Sequence, residues 1–82
     1  MTVQEWFEQL GAALPGGDVA LSGEEREVLL DLARVAAHES ERWAAPLSTY
    51  LAGIALAGRD AGERVEVLRR VVGDLGPGQA DS

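Results

Sequence analysis

The sequence predicts an all-α domain, a compact bundle of four helices at about residues 3–14, 23–41, 46–57 and 61–75. Three observations predict this class. Apolar residues recur at spacings of three and four in four separate runs, which is the period of a helix face. No run alternates apolar and polar residues for the length of a strand. Glycine and proline separate the runs, and the links between them are short, as in a helical bundle.

Helix 1 is predicted by a capping box, in which Thr2 caps the helix and Glu5 reaches back to the backbone. Its apolar face is Val3, Trp6, Phe7, Leu10 and Leu14. Trp6 is expected in the core, because Phe7 and Leu10 share its face. Pro15-Gly16-Gly17 should end the helix.

Helix 2 starts at a second capping box, Ser22 to Glu25, and runs without a breaker to about Glu41. Its apolar arc is wide, so we expect it to be the central helix, contacted from several sides. The opposite face is charged and includes Glu27, Asp31 and Arg34. That face is most simply a solvated stripe with pairs such as Asp31 and Arg34.

Helix 3 is predicted to begin at Pro46, because proline suits a first helical position and disfavours helical backbone in the residue before it. Gly53 lies among small residues, where a neighbouring backbone could come close, and Gly58 is the expected stop. Asp60 caps helix 4. We expect one domain over residues 1–76 and a flexible tail over 77–82.

Composition excludes several function classes. The formal charge is −7, and all seven basic residues are arginine. Repulsion from phosphates argues against nucleic acid and anionic membranes as partners. The acidic N-terminus lacks the basic region of a secretory signal, and no apolar run approaches the ~18 residues of a membrane span. We therefore expect a cytoplasmic protein.

The residues that carry chemistry are few. One histidine and no cysteine leave little for a metal site, and we predict neither a metal nor a cofactor. A phosphate-binding Walker loop needs lysine, which the chain lacks. No Gly-x-Ser-x-Gly elbow is present to mark a serine as a catalytic nucleophile. We predict that the chain is not an enzyme.

The corner between helices 2 and 3 is the distinctive stretch. It brings together His38, Glu41, Arg42, Trp43 and Tyr50. The simplest role for His38 is to interact with the dipole at the end of helix 2, while Glu41 and Arg42 brace the turn. The functional alternative is a polar cluster flanked by aromatic residues, since Trp, Tyr and Arg are enriched in interface hot spots. Trp43 should be half-exposed.

The same stretch resembles a known family. The residues that carry the resemblance are Leu29–Arg34, Ala37-His38, Glu41-Arg42, Ala44–Leu47 and Thr49–Gly53, with Trp6 near the start. They are similar to a family of small uncharacterised actinobacterial domains, although Trp43 stands where that family usually has proline. Its members occur alone or attached to a molybdenum-cofactor guanylyltransferase-like enzyme. The resemblance implies an accessory role near molybdenum-cofactor maturation and no known activity. The positions it marks are His38, Arg42, Pro46, Thr49, Tyr50 and Gly53.

Two functions are therefore predicted from different classes. The first is a non-enzymatic module, homodimeric or bound to another protein, that docks through the corner and helix 3. The second is a binder of a small anionic ligand, a nucleotide or pterin phosphate, held by His38 and Arg42. Partner, ligand and pathway are not specified by the sequence.

Overall fold

The computed structural model describes residues 1–15 and 21–76, and within them the chain forms four α-helices and no strand. The helices are α1 (Val3–Ala13), α2 (Gly23–Glu39), α3 (Ala44–Ala55) and α4 (Ala61–Leu75). The predicted all-α class is confirmed. The predicted tail at 77–82 and the turn at Gly16-Gly17 lie outside the described residues.

Local capping accounts for the starts of three helices. The Glu5 amide donates to Thr2 Oγ1 at 3.0 Å, and the Thr2 amide donates to the Glu5 carboxylate at 2.9 Å. The same reciprocal box joins Ser22 and Glu25 at the start of α2. Asp60 accepts the Glu63 amide at 2.9 Å and begins α4. Each of these bonds satisfies amide groups that a helix leaves without an internal acceptor.

The corner between α2 and α3 lies two residues earlier in the chain than predicted. Helix α2 ends at Glu39 rather than near Glu41, and α3 begins at Ala44 rather than Pro46. The carbonyl oxygens of Glu41 and Arg42 accept the amides of Ala44 and Ala45, at 2.9 and 3.2 Å. Pro46 is thus the third residue of α3. Its missing amide costs no helical hydrogen bond there, because amides of the first turn have no acceptor within the helix.

The end of α3 lies close to Gly58, the predicted stop. The helix stops at Ala55, two residues earlier than expected, and the Leu56 amide still donates to the Ala52 carbonyl at 3.0 Å. Gly58 has a φ of +91°, a backbone conformation that glycine adopts without steric cost. The reversal toward α4 is therefore made at Gly58.

Packing confirms α2 as the central helix, because it contacts both α3 and α4 extensively. The core cluster consists of Val28 and Leu32 from α2, Leu56 after α3 and Leu68 from α4. Val65 on α4 is also buried. The surrounding half-buried apolar residues are Leu29, Ala52, Val67, Val71 and Val72. This core is small, as expected for a chain of 82 residues.

Helix α1 departs from the prediction. None of its residues is buried, and Trp6, expected in the core, is 52% exposed. One aromatic ring of α1 is engaged, since the Arg26 guanidinium lies over the Phe7 ring at 5.9 Å from its centre. The heptad-like spacing on α1 identified an apolar face correctly, but within the described residues no other helix covers it.

Candidate docking surface

The predicted corner residues are not joined to one another by side-chain hydrogen bonds in the described part of the chain. The His38 Nδ1 atom lies 3.2 Å from the carboxylate of its neighbour Glu39, and no hydrogen bond among the described residues joins it to Glu41 or Arg42. The spacing of His38 from Glu41 and Arg42 allows such a pair, but the hydrogen-bond partner of His38 in the structure is Glu39. His38 is exposed, and Glu39 had not been singled out from the sequence.

Glu41 and Arg42 contribute to the corner through their backbones, whose carbonyl oxygens hold the first amides of α3. Thr49 is occupied within its own helix, where Oγ1 donates to the Pro46 carbonyl at 3.0 Å. These three residues therefore stabilise the turn and the first part of α3. An anion site at His38 and Arg42 stays a prediction, and the carboxylate beside His38 works against it.

Gly53 also differs from expectation. A Cβ atom built at this position would meet no atom within 4 Å, so no neighbouring backbone packs against it. Gly53 lies on the exposed side of α3. The glycine is not required by close helix packing in the described part of the chain.

Helix α3 packs with its small residues inward. Its half-buried positions are Ala44, Ala45, Ser48, Thr49 and Ala52. The opposite side carries large apolar residues, and together with Trp43 they form a strip about 100° wide when placed on a helical wheel. We call these residues, which are 54–69% exposed, the α3 stripe: Trp43, Leu47, Tyr50, Leu51 and Ile54.

The α3 stripe has no charged neighbours within its helix, because none of the residues of Ala44–Ala55 is Asp, Glu, Lys or Arg. An exposed helix of a globular protein ordinarily carries polar or charged residues on its solvent face. The orientation of α3 is the reverse of that pattern. Such a surface is typical of an interaction site.

A second apolar face lies on α1. We call the residues Val3, Trp6, Phe7, Leu10 and Leu14 the α1 face, and they are 37–59% exposed. The rest of α1 consists of polar and small residues, with Glu5 and Glu8 as its charged residues. Helical periodicity in the sequence predicts both apolar faces, but only the structure shows that neither enters the core.

A groove lined by arginine lies on the outer side of α4. It encloses about 440 Å³ and is lined by Arg59, Glu63, Glu66, Val67, Arg69 and Arg70. Arg59 pairs with Glu63 at 3.5 Å, and Arg69 pairs with Glu24 of α2 at 2.9 Å. Because carboxylates neutralise these guanidinium groups, the groove offers little net attraction to an anion.

A partly buried ion pair joins α2 to α4 and was missed by the sequence reasoning. Arg64 donates to both carboxylate oxygens of Glu25, at 2.6 and 3.0 Å, and Glu25 is 3% exposed. These hydrogen bonds from Arg64, together with the Ser22 bonds, lower the pKa of Glu25 against the effect of burial. The missed signal is that Glu25, Val28 and Leu32 share one face of α2.

The described residues hold no group of three or more His, Asp or Glu side chains that could bind a metal ion. Across the same residues, every helix is too short or too polar to cross a membrane.

Comparison with known proteins finds a family whose model matches the chain. The model of a family described as a domain of unknown function, DUF6457, matches residues 1–80. No curated protein and no solved structure matches the chain.

Proposed function

The chain belongs to the DUF6457 family, and we propose that it is a non-enzymatic module that docks on a protein through the α3 stripe. The observation that carries this proposal is the reversed packing of α3. Its small residues face α2 while Leu47, Leu51 and Ile54 face solvent. Exposing large apolar side chains costs free energy in a monomer, and covering them by a partner recovers it.

The size of the α3 stripe supports the same function. A large apolar or aromatic residue offers about 200 Å², so exposures of 54–69% leave roughly 600 Å² of accessible surface on the stripe. That value lies at the upper end for the largest apolar patch of a monomer, about 300–600 Å². Trp43 and Tyr50 stand on the stripe, and their residue types often anchor interfaces.

We also propose which class of protein the module binds. The segment from Leu29 to Gly53 is similar to actinobacterial domains found alone or attached to a molybdenum-cofactor guanylyltransferase-like enzyme. This similarity supports an accessory role in maturation of that cofactor. In this role the module would bind a protein of the maturation pathway and would perform no chemistry itself.

Photo-crosslinking tests the docking surface directly. A benzophenone amino acid replaces Tyr50 in the full chain, and the matched control carries it at Arg34, an exposed position on the charged side of α2. After irradiation of the source cells, the position-50 protein should give a covalent adduct with a protein, and the position-34 protein should not. Mass spectrometry then identifies whatever is attached.

A pair of variants completes this test. Leu51→Glu places a charge on the stripe, and Leu30→Glu places one at a similarly exposed leucine of α2. The adduct from position 50 should fall at least tenfold with Leu51→Glu and be unchanged with Leu30→Glu. If position 50 gives no adduct, the docking function is wrong. An adduct with a guanylyltransferase-like protein would support the cofactor role.

A further inference from the structure

We infer that the α3 stripe docks on the α1 face of a second copy of this chain, reciprocally, in a two-fold symmetric dimer. This inference rests on the proposed function and names the occupant of the same surface. It predicts that Trp6 and its neighbours on α1 of one protomer cover Leu47, Leu51 and the other stripe residues of its partner.

The first argument is that one chain supplies two uncovered apolar surfaces. The α1 face and the α3 stripe are both apolar strips on single helices, and each spans about 100° of its helix. Neither covers the other within the chain, since residues of both remain 37–69% exposed. A second copy brings both surfaces at once. The contact of α1 with α3 then occurs twice, as a closed isologous interface requires.

Area is the second argument. The α1 face offers roughly 500 Å², on the basis of about 200 Å² for each large residue and exposures of 37–59%. Together with the α3 stripe, each protomer could bury about 1,100 Å². A stable interface buries about 800 Å² per partner. A dimer formed by two α3 stripes alone would stay below that value and leave the α1 face in water.

Charge is the third argument. The α3 stripe belongs to a helix without charged residues, and Glu5 and Glu8 lie on the side of α1 away from its apolar face. Closing the two strips therefore covers no charged residue of α1 or α3. The Arg26 guanidinium of α2, which lies over the Phe7 ring, would move aside or lose part of its hydration, so the desolvation penalty is confined to that group. The net charge of −7 on each copy is carried by other surfaces. Salt at physiological strength screens that repulsion beyond about 8 Å.

The deciding experiment uses an equal mixture of ¹⁵N-labelled and unlabelled full chains, both with the benzophenone amino acid at position 50. The purified mixture is irradiated, and crosslinked peptides are sequenced by mass spectrometry. We expect mixed-isotope adducts that join position 50 to peptides of residues 3–14. Adducts that join position 50 mainly to α3 of the other copy, or a wild-type chain that is monomeric by light scattering at 100 μM, would overturn the inference.

Two complementary variants give an independent readout. Trp6→Glu damages only the α1 face, and Leu51→Glu damages only the α3 stripe. The dimer formed by each variant alone should have a dissociation constant at least 100-fold higher than that of the wild-type dimer. An equal mixture should associate more tightly than either alone, because the heterodimer keeps one intact α1–α3 contact. Leu30→Glu should dimerise like wild type, and circular dichroism checks that all variants remain helical.

The outcomes separate the two proposals. If Trp6→Glu dimerises as wild type does while Leu51→Glu does not, the stripe docks on itself and the reciprocal arrangement is wrong. If the purified chain is monomeric but the stripe captures a different protein in cells, the docking function stands and the dimer fails. If position 50 forms no adduct in either setting, both are wrong.

Discussion

The pair α2 and α4 differs sharply from the pair α1 and α3. The former holds Val28, Leu32, Val65 and Leu68 in the core, together with the Glu25–Arg64 ion pair. Neither α1 nor α3 contains a buried residue. Yet α3 has the highest apolar content of the four helices. The difference shows that apolar sequence here has two fates, burial in a small core and exposure on the surface.

The largest expected effect is at the core. Leu68→Ala should lower the free energy of unfolding by about 2–4 kcal/mol, because it removes buried methyl groups and leaves a cavity next to Val28 and Leu32. Leu47→Ala, on the exposed stripe, should cost less than about 0.5 kcal/mol in the monomer. Urea denaturation at a concentration where the chain is monomeric measures both. Equal losses of unfolding free energy for the two variants would contradict the difference between the two helix pairs.

The partly buried ion pair of Glu25 and Arg64 comes next. Glu25→Gln keeps a residue that suits the capping box but removes the charge opposite Arg64, and should cost about 1–3 kcal/mol at pH 7. The matched control is Glu24→Gln, whose partner Arg69 is exposed, and its cost should stay below about 0.5 kcal/mol. Urea denaturation of the two neighbouring variants compares a buried with an exposed pair on the same helix.

The same variant has a defined pH dependence. The pKa of Glu25 is lower in the folded protein than its ordinary value of 4.5, chiefly because of Arg64. The stabilisation is therefore complete above the unfolded pKa and is lost as the pH falls through the folded pKa. The difference in unfolding free energy between wild type and Glu25→Gln should be constant from pH 7 to 5.5 and shrink below about pH 4.5. A difference that grew on acidification would contradict the ion pair.

The smallest expected effect concerns two glycines. Gly53→Ala should stabilise the monomer by about 0.5–1 kcal/mol, since the position is helical and open to solvent. Gly58→Ala should destabilise it by about 1 kcal/mol, because of its positive φ. Thermal melts of the two variants should therefore shift in opposite directions. A destabilised Gly53→Ala would show that another part of the molecule packs against α3.

Part of the candidate site could be predicted from the sequence. The sequence singled out Trp43 and Tyr50, and both lie on the exposed α3 stripe, although Trp43 is more exposed than expected. Leu47, Leu51 and Ile54 keep the helical period, which by itself does not indicate that they face outward. The absence of any charged residue in α3 does indicate that this helix is contacted on more than one side. His38, in contrast, pairs with Glu39, and the polar cluster expected with Arg42 is replaced by backbone bonds at the turn.

The sequence by itself determined the features that depend on neighbouring residues: four helices, the caps at Thr2, Ser22 and Asp60, and the reversal at Gly58. These features need only bonds that span a few residues, so a local pattern specifies them. The tertiary structure alone decided which apolar faces enter the core. It also paired Glu25 with Arg64 across 39 residues. Periodicity shows that a helix has an apolar face, whereas burial of that face depends on where the other helices lie.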